Sequence, residues 1–342
     1  QRRQVAPPSA GGSEGCPSAL DFRDVAGHDV AKRAIQIAAA GEHGLLMMGP
    51  PGSGKTMLAS RIGSILPPLT EQEVLEAAVV HSVAEEPIGS ILAGQRPFRK
   101  PHHSATTAGL VGGGTPIRPG EVSLAHRGVL FLDEFAEFKP TVLQALRQPM
   151  ESGAVSLTRA DGSVSFPARF MLVAAANPCA CGYLGDDEVP CTCTVPQVRA
   201  YQGKIGGPLI DRIDLQLDVR RLPPGSVLAS GHGTDSATMR EGVMRARAFA
   251  SWRRAREGGG DGDAGPSRSS ALPAGVIASC RLSDGARAFS ESMAQAHGLS
   301  GRALVSMLSV ARTIADMEEA EAVREGHIAE ALGLRLRDGV GR

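Results

Sequence analysis

Short apolar runs alternate with longer mixed stretches along the first two thirds of the chain. Leu45–Met48, Val129–Leu132 and Phe170–Ala176 are wholly apolar, and each run is followed by turn-forming or polar residues. Runs of this length are typical of strands that a parallel sheet buries on both faces, and the segments between them are long enough for crossover helices. The pattern therefore predicts an α/β fold with a parallel sheet flanked by helices.

A different pattern fills the last part of the chain. An Arg-rich helical stretch from Ser236 to Glu257 is followed by the tract GGGDGDAGPSRSS, which offers no apolar surface to bury. Apolar residues then recur at helical spacing between Leu304 and Ile314. We expect four parts: a flexible linker at 1–19, an α/β core at 20–222, a connecting helix and mobile Gly/Ser-rich loop at 223–275, and an all-helical lid at 276–342.

Composition and charge narrow the classes of function. Lys plus Arg and Asp plus Glu number 36 each, so a wholly basic nucleic-acid-binding surface is excluded, although a local basic loop is not. No apolar run is long enough to span a membrane, and the polar, Pro- and Gly-rich start is not a signal peptide. We expect a cytoplasmic protein, and a start at Gln1 within a linker-like segment predicts that an N-terminal portion precedes this sequence.

The sharpest motif follows the first apolar run. The P-loop pattern GxxxxGK[ST] is matched by Gly49, Pro50, Pro51, Gly52, Ser53, Gly54, Lys55 and Thr56. The glycines let backbone N–H groups approach phosphates at the start of a helix, which we predict over Met57–Ile65. Lys55 would face the β- and γ-phosphates, and Thr56 would offer its hydroxyl to Mg²⁺. The motif predicts a site for ATP and Mg²⁺.

Two further apolar runs end in polar residues that suit the same site. Asp133 and Glu134 follow Leu132, and Asn177 follows Ala176. Open α/β sheets bind ligands at the carboxyl ends of their strands, where Asp133 would hold Mg²⁺ through water and Glu134 would polarise the attacking water. Asn177 would position that water, or it is a turn-forming residue before Pro178.

Four cysteines lie close together after Asn177. Cys179, Cys181, Cys191 and Cys193 form the pattern CxCx9CxC. Four thiolates suit a closed tetrahedral Zn²⁺ site that would fix an otherwise unsupported loop. Reduced structural cysteines and disulfides are the alternatives, because CxC spacing is tighter than the usual spacing of zinc ligands.

Several long stretches are more specific than a P-loop. They are RPFRKPHHSATTAGLVGGGTPIRPGEVSLAHRGVLFLDE, FKPTVLQALRQPMESG, PARFMLVAAANPCACGYLGD, GPLIDRIDLQLDV and LSGRALVSMLSVARTIADME. With them the chain resembles the ComM/YifB family of magnesium-chelatase-like AAA+ ATPases, which are related to the MCM helicases. The resemblance implies an AAA+ core with a helical lid, ATP hydrolysis and a homo-oligomeric ring, a hexamer. That family usually carries a Lon-protease-like domain before the motor.

The resemblance also implies roles for two arginines. Arg212 resembles the arginine finger that one subunit donates to its neighbour's γ-phosphate. The alternative is a surface ion pair with Asp211 or Asp214. Arg302 resembles the lid's sensor 2, which contacts nucleotide and couples hydrolysis to lid motion. The alternative is an exposed helix arginine.

Two segments are candidates for gripping a substrate. The basic stretch Arg96–His103 suits phosphate contacts, although its Arg99 and Lys100 could instead form ion pairs at an interface. Ala154–Phe166 predicts a hairpin with Asp161-Gly162 at its tip. The resemblance implies DNA remodelling, with branch migration during recombination in natural transformation. The alternative is a protein-remodelling subunit like the motor of magnesium chelatase. A non-hydrolysing scaffold conflicts with the complete set of site residues.

Overall fold

The computed structural model describes residues 20–159, 162–205, 209–223, 225, 233–256 and 273–335. The linker predicted at 1–19 and most of the loop predicted after Arg256 lie outside these residues. None of the helices described is both long enough and apolar enough to cross a lipid bilayer.

Strands occur throughout the first two thirds of the described chain. In chain order they are β1 (Leu45–Met48), β2 (Phe98–Arg99), β3 (Gly112–Gly113), β4 (Arg118–Pro119), β5 (Val129–Leu132), β6 (Ala154–Arg159), β7 (Gly162–Pro167), β8 (Met171–Ala176) and β9 (Leu215–Asp218). Five of them form a parallel sheet in the order β2-β5-β8-β1-β9. The predicted α/β fold with a parallel sheet is confirmed.

Helices separate most of the strands. The α-helices are α1 (Asp29–Gly41), α2 (Lys55–Ser60), α3 (Ile62–Ile65), α4 (Glu71–Val83), α5 (Gly89–Leu92), α6 (Thr107–Val111), α7 (Glu121–Leu124), α8 (Pro140–Ala145), α9 (Arg147–Ser152), α10 (Val195–Ile205), α11 (Ser236–Arg256), α12 (Pro273–Cys280), α13 (Asp284–Ala296), α14 (Gly301–Met317) and α15 (Glu325–Gly333). After residue 235, the described residues form helices joined by short turns and contain no strand, as predicted.

The sheet is buried on both faces, which explains its continuous apolar strands. In β1, Leu45 and Met47 belong to one hydrophobic core, and Leu46 and Met48 belong to the other. Successive side chains of a strand point to opposite faces, so a strand covered on both sides needs apolar residues at every position. The period-two pattern of a half-exposed strand is therefore absent from β1, β5 and β8.

The C-terminal helices pack on the α/β core rather than standing apart from it. The first core contains Ile35 of α1 and Val173 of β8 together with Met307 and Ile314 of α14. An ion pair supports this packing, since Arg33 Nε of α1 lies 2.9 Å from Glu330 Oε1 of α15. The helical region and the sheet thus share one hydrophobic core.

Local details differ from the sequence prediction at one helix and agree at the hairpin. The helix after the P-loop begins at Lys55, not Met57, and is interrupted at Arg61 because the Arg61 N–H bonds the Leu58 carbonyl, three residues back. Strands β6 and β7 pair antiparallel as the predicted hairpin, with Arg159 opposite Gly162. Residues 160 and 161 at its tip lie outside the described residues.

Candidate nucleotide site

The P-loop follows β1 and leads directly into α2. Gly54 has φ +90°, a conformation that side chains rarely adopt, and it directly precedes the first residue of α2. Lys55 is buried, and its Nζ donates to the carbonyl oxygens of Gly49 at 2.7 Å and Pro50 at 2.8 Å. The ammonium group therefore lies inside the loop, beneath the place that the motif predicts for phosphate.

The environment of Lys55 lowers its basicity. Burial lowers the pKa of the Lys55 amine to about 8, while the charge of Asp133 acts in the opposite direction. Asn177, at the end of β8, accepts a hydrogen bond from Lys55 Nζ at 3.4 Å. The sheet therefore brings three of the predicted residues together at one edge.

Oxygen donors suited to Mg²⁺ meet beside the P-loop. Thr56 Oγ1 donates to Asp133 Oδ2 at 3.1 Å, which joins the start of α2 to the end of β5. Hydroxyl and carboxylate oxygens are the ligands that Mg²⁺ prefers, so this donor set fits the ion. Thr56 and Asp133 are the residues that would hold it.

Glu134 adopts a constrained backbone next to Asp133. Its φ is +51°, which is uncommon for a residue with a side chain, and its N–H donates to Asp133 Oδ1 at 3.1 Å. Such conformations recur at functional sites, where the surrounding structure holds them. The side chain of Glu134 is largely exposed and can reach a water molecule.

Two residues from the segment after β2 contact these carboxylates, and the sequence reasoning missed them. Lys100 Nζ lies 2.8 Å from Asp133 Oδ2, and His103 Nδ1 lies 2.9 Å from Glu134 Oε2. Because β2 pairs with β5 in the parallel sheet, the residues that follow β2 lie beside Asp133 and Glu134, which follow β5. Both motifs were visible in the sequence, but nothing in the sequence showed that they meet.

The basic segment Arg96–His103 is therefore arranged differently from the phosphate grip that its composition indicates. Arg96 Nη2 lies 2.9 Å from Glu73 Oε2, and Arg99 Nε lies 2.7 Å from Glu121 Oε2. With Lys100 and His103 also paired, these side chains have carboxylate partners within the chain. Arg99 and Lys100 thus form ion pairs within the chain, whereas the sequence-based alternative placed their ion pairs at an interface.

Arg212 and Arg302 lie together in a second cluster. Arg212 Nε donates to Glu151 Oε1 at 2.9 Å, and Arg302 Nη2 donates to the same oxygen at 3.1 Å. The Arg212 pair holds the pKa of the Glu151 carboxyl below its usual range, and Arg302 adds to the effect. Arg212 thus forms an ion pair with Glu151, a partner that the sequence-based alternative did not include.

This arginine cluster (Glu151, Arg212 and Arg302) lines a cavity of about 700 Å³. No residue of the P-loop, 49–56, lines that cavity. Leu215, the first residue of β9, pairs with Leu45, the first residue of β1. Arg212 precedes β9 whereas the P-loop follows β1, so the two clusters lie at opposite ends of the sheet.

The four cysteines of the CxCx9CxC pattern come together in space. Their sulfur atoms all lie within 4.8 Å of one another. Three of the contacts measure 3.3 Å (Cys179–Cys181), 3.5 Å (Cys181–Cys191) and 3.7 Å (Cys179–Cys191), and the four are free thiols rather than disulfides. Four sulfurs bound tetrahedrally at about 2.3 Å from Zn²⁺ would lie about 3.8 Å apart, so the cluster fits that ion.

Backbone groups also favour the ionised form of one thiol. Hydrogen bonding to the backbone at Tyr183 and Thr192 lowers the pKa of Cys181, whereas burial and the neighbouring thiols raise the pKa of Cys191 and Cys193. The thiolate is the form that binds a metal. Cys179 is fully buried, whereas the other three are half-buried, and a four-thiolate site with no open position is typical of structural zinc.

Comparison with known protein families gives two adjacent matches. The family described as magnesium chelatase, subunit ChlI, matches residues 21–227. Its C-terminal counterpart, described as magnesium chelatase, subunit ChlI C-terminal, matches residues 233–335. The two matches together cover most of the chain.

Individual relatives agree with this result. The chain is 44% identical over 318 residues to a protein named competence protein ComM from Haemophilus influenzae, covering 92% of this chain and 60% of that protein. It is 43% identical over 324 residues to YifB of Salmonella typhimurium, covering 93% of this chain and 61% of that protein. It is also 30% identical over 161 residues to the magnesium-chelatase 67 kDa subunit of Chlorobaculum parvum, covering 46% and 23%. The chain thus spans about three-fifths of the length of its more similar relatives.

Proposed function

Because the chain belongs to the family of the magnesium chelatase subunit ChlI, whose motor is an AAA-type ATPase, we propose that it binds ATP with Mg²⁺ and hydrolyses it. One observation carries the proposal. The P-loop, Asp133, Glu134 and Asn177 follow three neighbouring strands and converge at one edge of the sheet. Ligands of open α/β sheets bind at this edge.

Each of these residues has a chemical role. Lys55 contributes a positive charge to the β- and γ-phosphates, and Thr56 with Asp133 holds Mg²⁺, which neutralises phosphate charge when bound. Glu134 orients and polarises the water that attacks the γ-phosphorus, and Asn177 helps to fix that water. His103 holds the Glu134 carboxylate in place through its 2.9 Å contact.

The arginine cluster supplies charge to a different nucleotide. Four paired residues of β1 and β9 separate the P-loop from the segment that carries Arg212, which at about 3.3 Å per residue is about 13 Å. Arg212 is therefore too far from its own P-loop to stabilise charge there. We propose a homo-oligomeric ring, a hexamer, in which Arg212 acts on the neighbour's γ-phosphate. Arg302 shares the Glu151 carboxylate and faces the same neighbour.

This arrangement revises the expected role of Arg302. The resemblance implied that Arg302, in the helical lid, contacts nucleotide and couples hydrolysis to lid motion. Since Arg302 lies beside Arg212 in a cavity without P-loop residues, we propose that it too acts between subunits. A neighbour's phosphates would compete with Glu151 for both guanidinium groups, because phosphates and carboxylates accept hydrogen bonds from a guanidinium group with similar geometry.

Hydrolysis is coupled to the remodelling of DNA in our proposal, with branch migration as the reaction that the sequence resemblance implies. The hairpin β6–β7 offers a largely exposed strand, β7, for such contacts. The second candidate is the remodelling of a protein partner. The internal pairing of Arg99 and Lys100 favours it, because these charges are engaged within the chain rather than available to phosphates.

Two measurements test the proposal. Glu134→Gln should bind an ATP analogue as tightly as the wild type and hydrolyse ATP at least ~100-fold more slowly, because it keeps the shape but removes the base. Wild-type turnover by this variant would contradict the assignment of Glu134.

The steady-state rate of ATP turnover, measured with single-stranded, duplex and four-way-junction DNA across a salt series, then separates the DNA candidate from the protein-partner candidate. Stimulation through phosphate contacts fades as salt rises. Turnover that is indifferent to every DNA would favour the protein partner.

A further inference from the structure

The segment that carries the four cysteines lies against the nucleotide site. We call residues 178–194 the cysteine loop. It begins directly after Asn177, whose side chain accepts a hydrogen bond from Lys55, and Gln202 Nε2 donates to the Pro178 carbonyl at 3.2 Å. The start of the loop is therefore continuous with a residue of the site.

The same loop touches the P-loop itself. Gly182 has φ +90°, and a Cβ atom placed there would lie only 2.8 Å from Pro51 Cδ. The backbone of the cysteine loop therefore packs directly on Pro51, at a distance that only glycine permits. Gly182 N–H donates to the Cys179 carbonyl at 3.0 Å, which ties this contact to the first cysteine.

Arg221 links the other side of the cysteine loop to the P-loop. Its Nη2 donates to the Pro51 carbonyl at 3.1 Å, and its Nη1 donates to Glu188 Oε2 at 3.3 Å. Its Nη2 also lies 3.7 Å from Asp186 Oδ2, and its guanidinium carbon lies 6.0 Å from the centre of the Tyr183 ring. One arginine thus bridges Pro51 and three residues between the two cysteine pairs.

The turn that presents these acidic groups is held by the loop's own backbone. Asp186 Oδ1 accepts hydrogen bonds from the N–H groups of Glu188 and Val189, both at 2.9 Å, and these bonds lower the pKa of Asp186. Both ends of this turn lead to cysteines of the cluster. Its position therefore depends on whether the two cysteine pairs are held together.

We propose that a Zn²⁺ ion held by Cys179, Cys181, Cys191 and Cys193 fixes the cysteine loop against Pro51 and thereby strengthens nucleotide binding by the P-loop. The inference rests on the proposed nucleotide site and adds a regulatory metal to it. Removing the ion leaves the four cysteines with nothing that holds them together, so the cysteine loop becomes more mobile. The acidic partners of Arg221 in that loop are then no longer fixed in position. Coupling between two sites is reciprocal, so bound nucleotide strengthens zinc binding by the same factor.

The test measures both directions of this coupling in the full chain. A fluorescent ADP analogue should bind about tenfold more weakly to chelator-stripped protein than to protein carrying one zinc, with recovery when zinc is returned. In the other direction, the Kd for zinc, measured by equilibrium competition with a chromophoric chelator, should be about tenfold lower when ADP is present. The second measurement starts from zinc-loaded protein, so it can be made even if the stripped protein unfolds.

Two variants make the test specific. Arg221→Ala keeps all four cysteines, so it should retain zinc but lose most of the difference in nucleotide affinity between loaded and stripped protein. Cys280→Ala removes a buried thiol of the helical region, away from the loop, and should retain both zinc and the full difference.

Each contrary outcome has its own meaning. Equal nucleotide affinity with and without zinc, and zinc extraction indifferent to ADP, would overturn the coupling while leaving the ATPase intact. Purified protein that binds no zinc would overturn the metal site. Zinc-loaded protein that binds no nucleotide would overturn the proposed ATPase, and this inference with it.

Discussion

The nucleotide site and the arginine cluster are built in opposite ways. Lys55, Asp133 and Asn177 each follow a strand of one parallel sheet, so pairing of the backbone brings them together. Arg212 and Arg302 come from a 3₁₀ turn and the first turn of α14, and the carboxylate of Glu151 joins them. The first group is fixed by the sheet, and the second by packing between elements far apart in the sequence.

The two regions also differ in the functional groups that they supply. The first group holds a base, a metal-binding pair and a phosphate-binding lysine, and Lys100 pairs with Asp133 beside them. The second group holds two arginines at the other end of the sheet and none of the P-loop residues. In the proposed ring, each chain therefore carries halves of two different sites, and a second copy of the chain completes each of them.

Removal of the phosphate-binding lysine should have the largest effect. Lys55→Ala should abolish detectable ATP turnover and nucleotide binding, because no other cation is buried inside the P-loop. The measurement is binding of a fluorescent nucleotide together with phosphate release, with circular dichroism as the control for folding. Normal turnover by the variant would remove the nucleotide assignment altogether.

Loss of Arg212, the proposed arginine finger, should have the next largest effect and should separate the two regions. Arg212→Ala should bind nucleotide normally but turn over ATP ~10³-fold more slowly. Mixed with Lys55→Ala subunits, it should regain activity, because each variant supplies the half that the other lacks. The matched control is Arg281→Ala, an exposed arginine that pairs with Glu321 and should change neither property. Failure of the mixture to recover would mean that Arg212 does not act across subunits.

A smaller effect is expected at His103. Its imidazole lies 2.9 Å from Glu134 Oε2 and positions that carboxylate. His103→Ala should lower kcat roughly ten- to a hundredfold with little change in KM, since it disturbs the base and not nucleotide binding. His103→Gln, which retains a hydrogen-bond donor, should recover part of the loss. A rise in KM without a fall in kcat would contradict this role.

The smallest effect concerns pH. Burial lowers the pKa of Lys55 to about 8, so the free site loses its positive charge well below the pH at which an exposed lysine would. Bound phosphates favour the ammonium form and raise this pKa, so nucleotide affinity should be constant below about pH 8 and fall by roughly tenfold per pH unit above it. Titrations of ADP affinity between about pH 7 and pH 10 check this dependence. Lys55→Arg stays charged, so any affinity it retains should be flat over the same range.

Much of the fold follows from local properties of the sequence. The bounds of β1 and β5 match the predicted apolar runs, and β8 differs from its predicted run only at Phe170. The helix over Ser236–Arg256 also agrees with the predicted stretch within the described residues. Such elements are predictable because a run of apolar residues or a helical period reports directly on how the segment is buried.

The partners of charged residues were not predictable in the same way. The basic composition of Arg96–His103 favoured a substrate grip, yet Lys100 and His103 contact the carboxylates after β5. A charge shows that a partner is needed but not which one, because the strength of an ion pair depends on the distance and burial that tertiary packing creates.

The sequence by itself determined the strand–loop–helix that contains the P-loop, the buried strands and the cysteine pattern, since each depends on residues close together in the chain. Only the tertiary structure decided that Arg302 joins Arg212 on Glu151 and that the cysteine loop rests on Pro51 through Gly182 and Arg221. These contacts join segments far apart in the sequence, from 61 residues for Glu151 and Arg212 to 170 residues for Pro51 and Arg221. They form because the parallel sheet and its shared core bring those segments together, which no local pattern encodes.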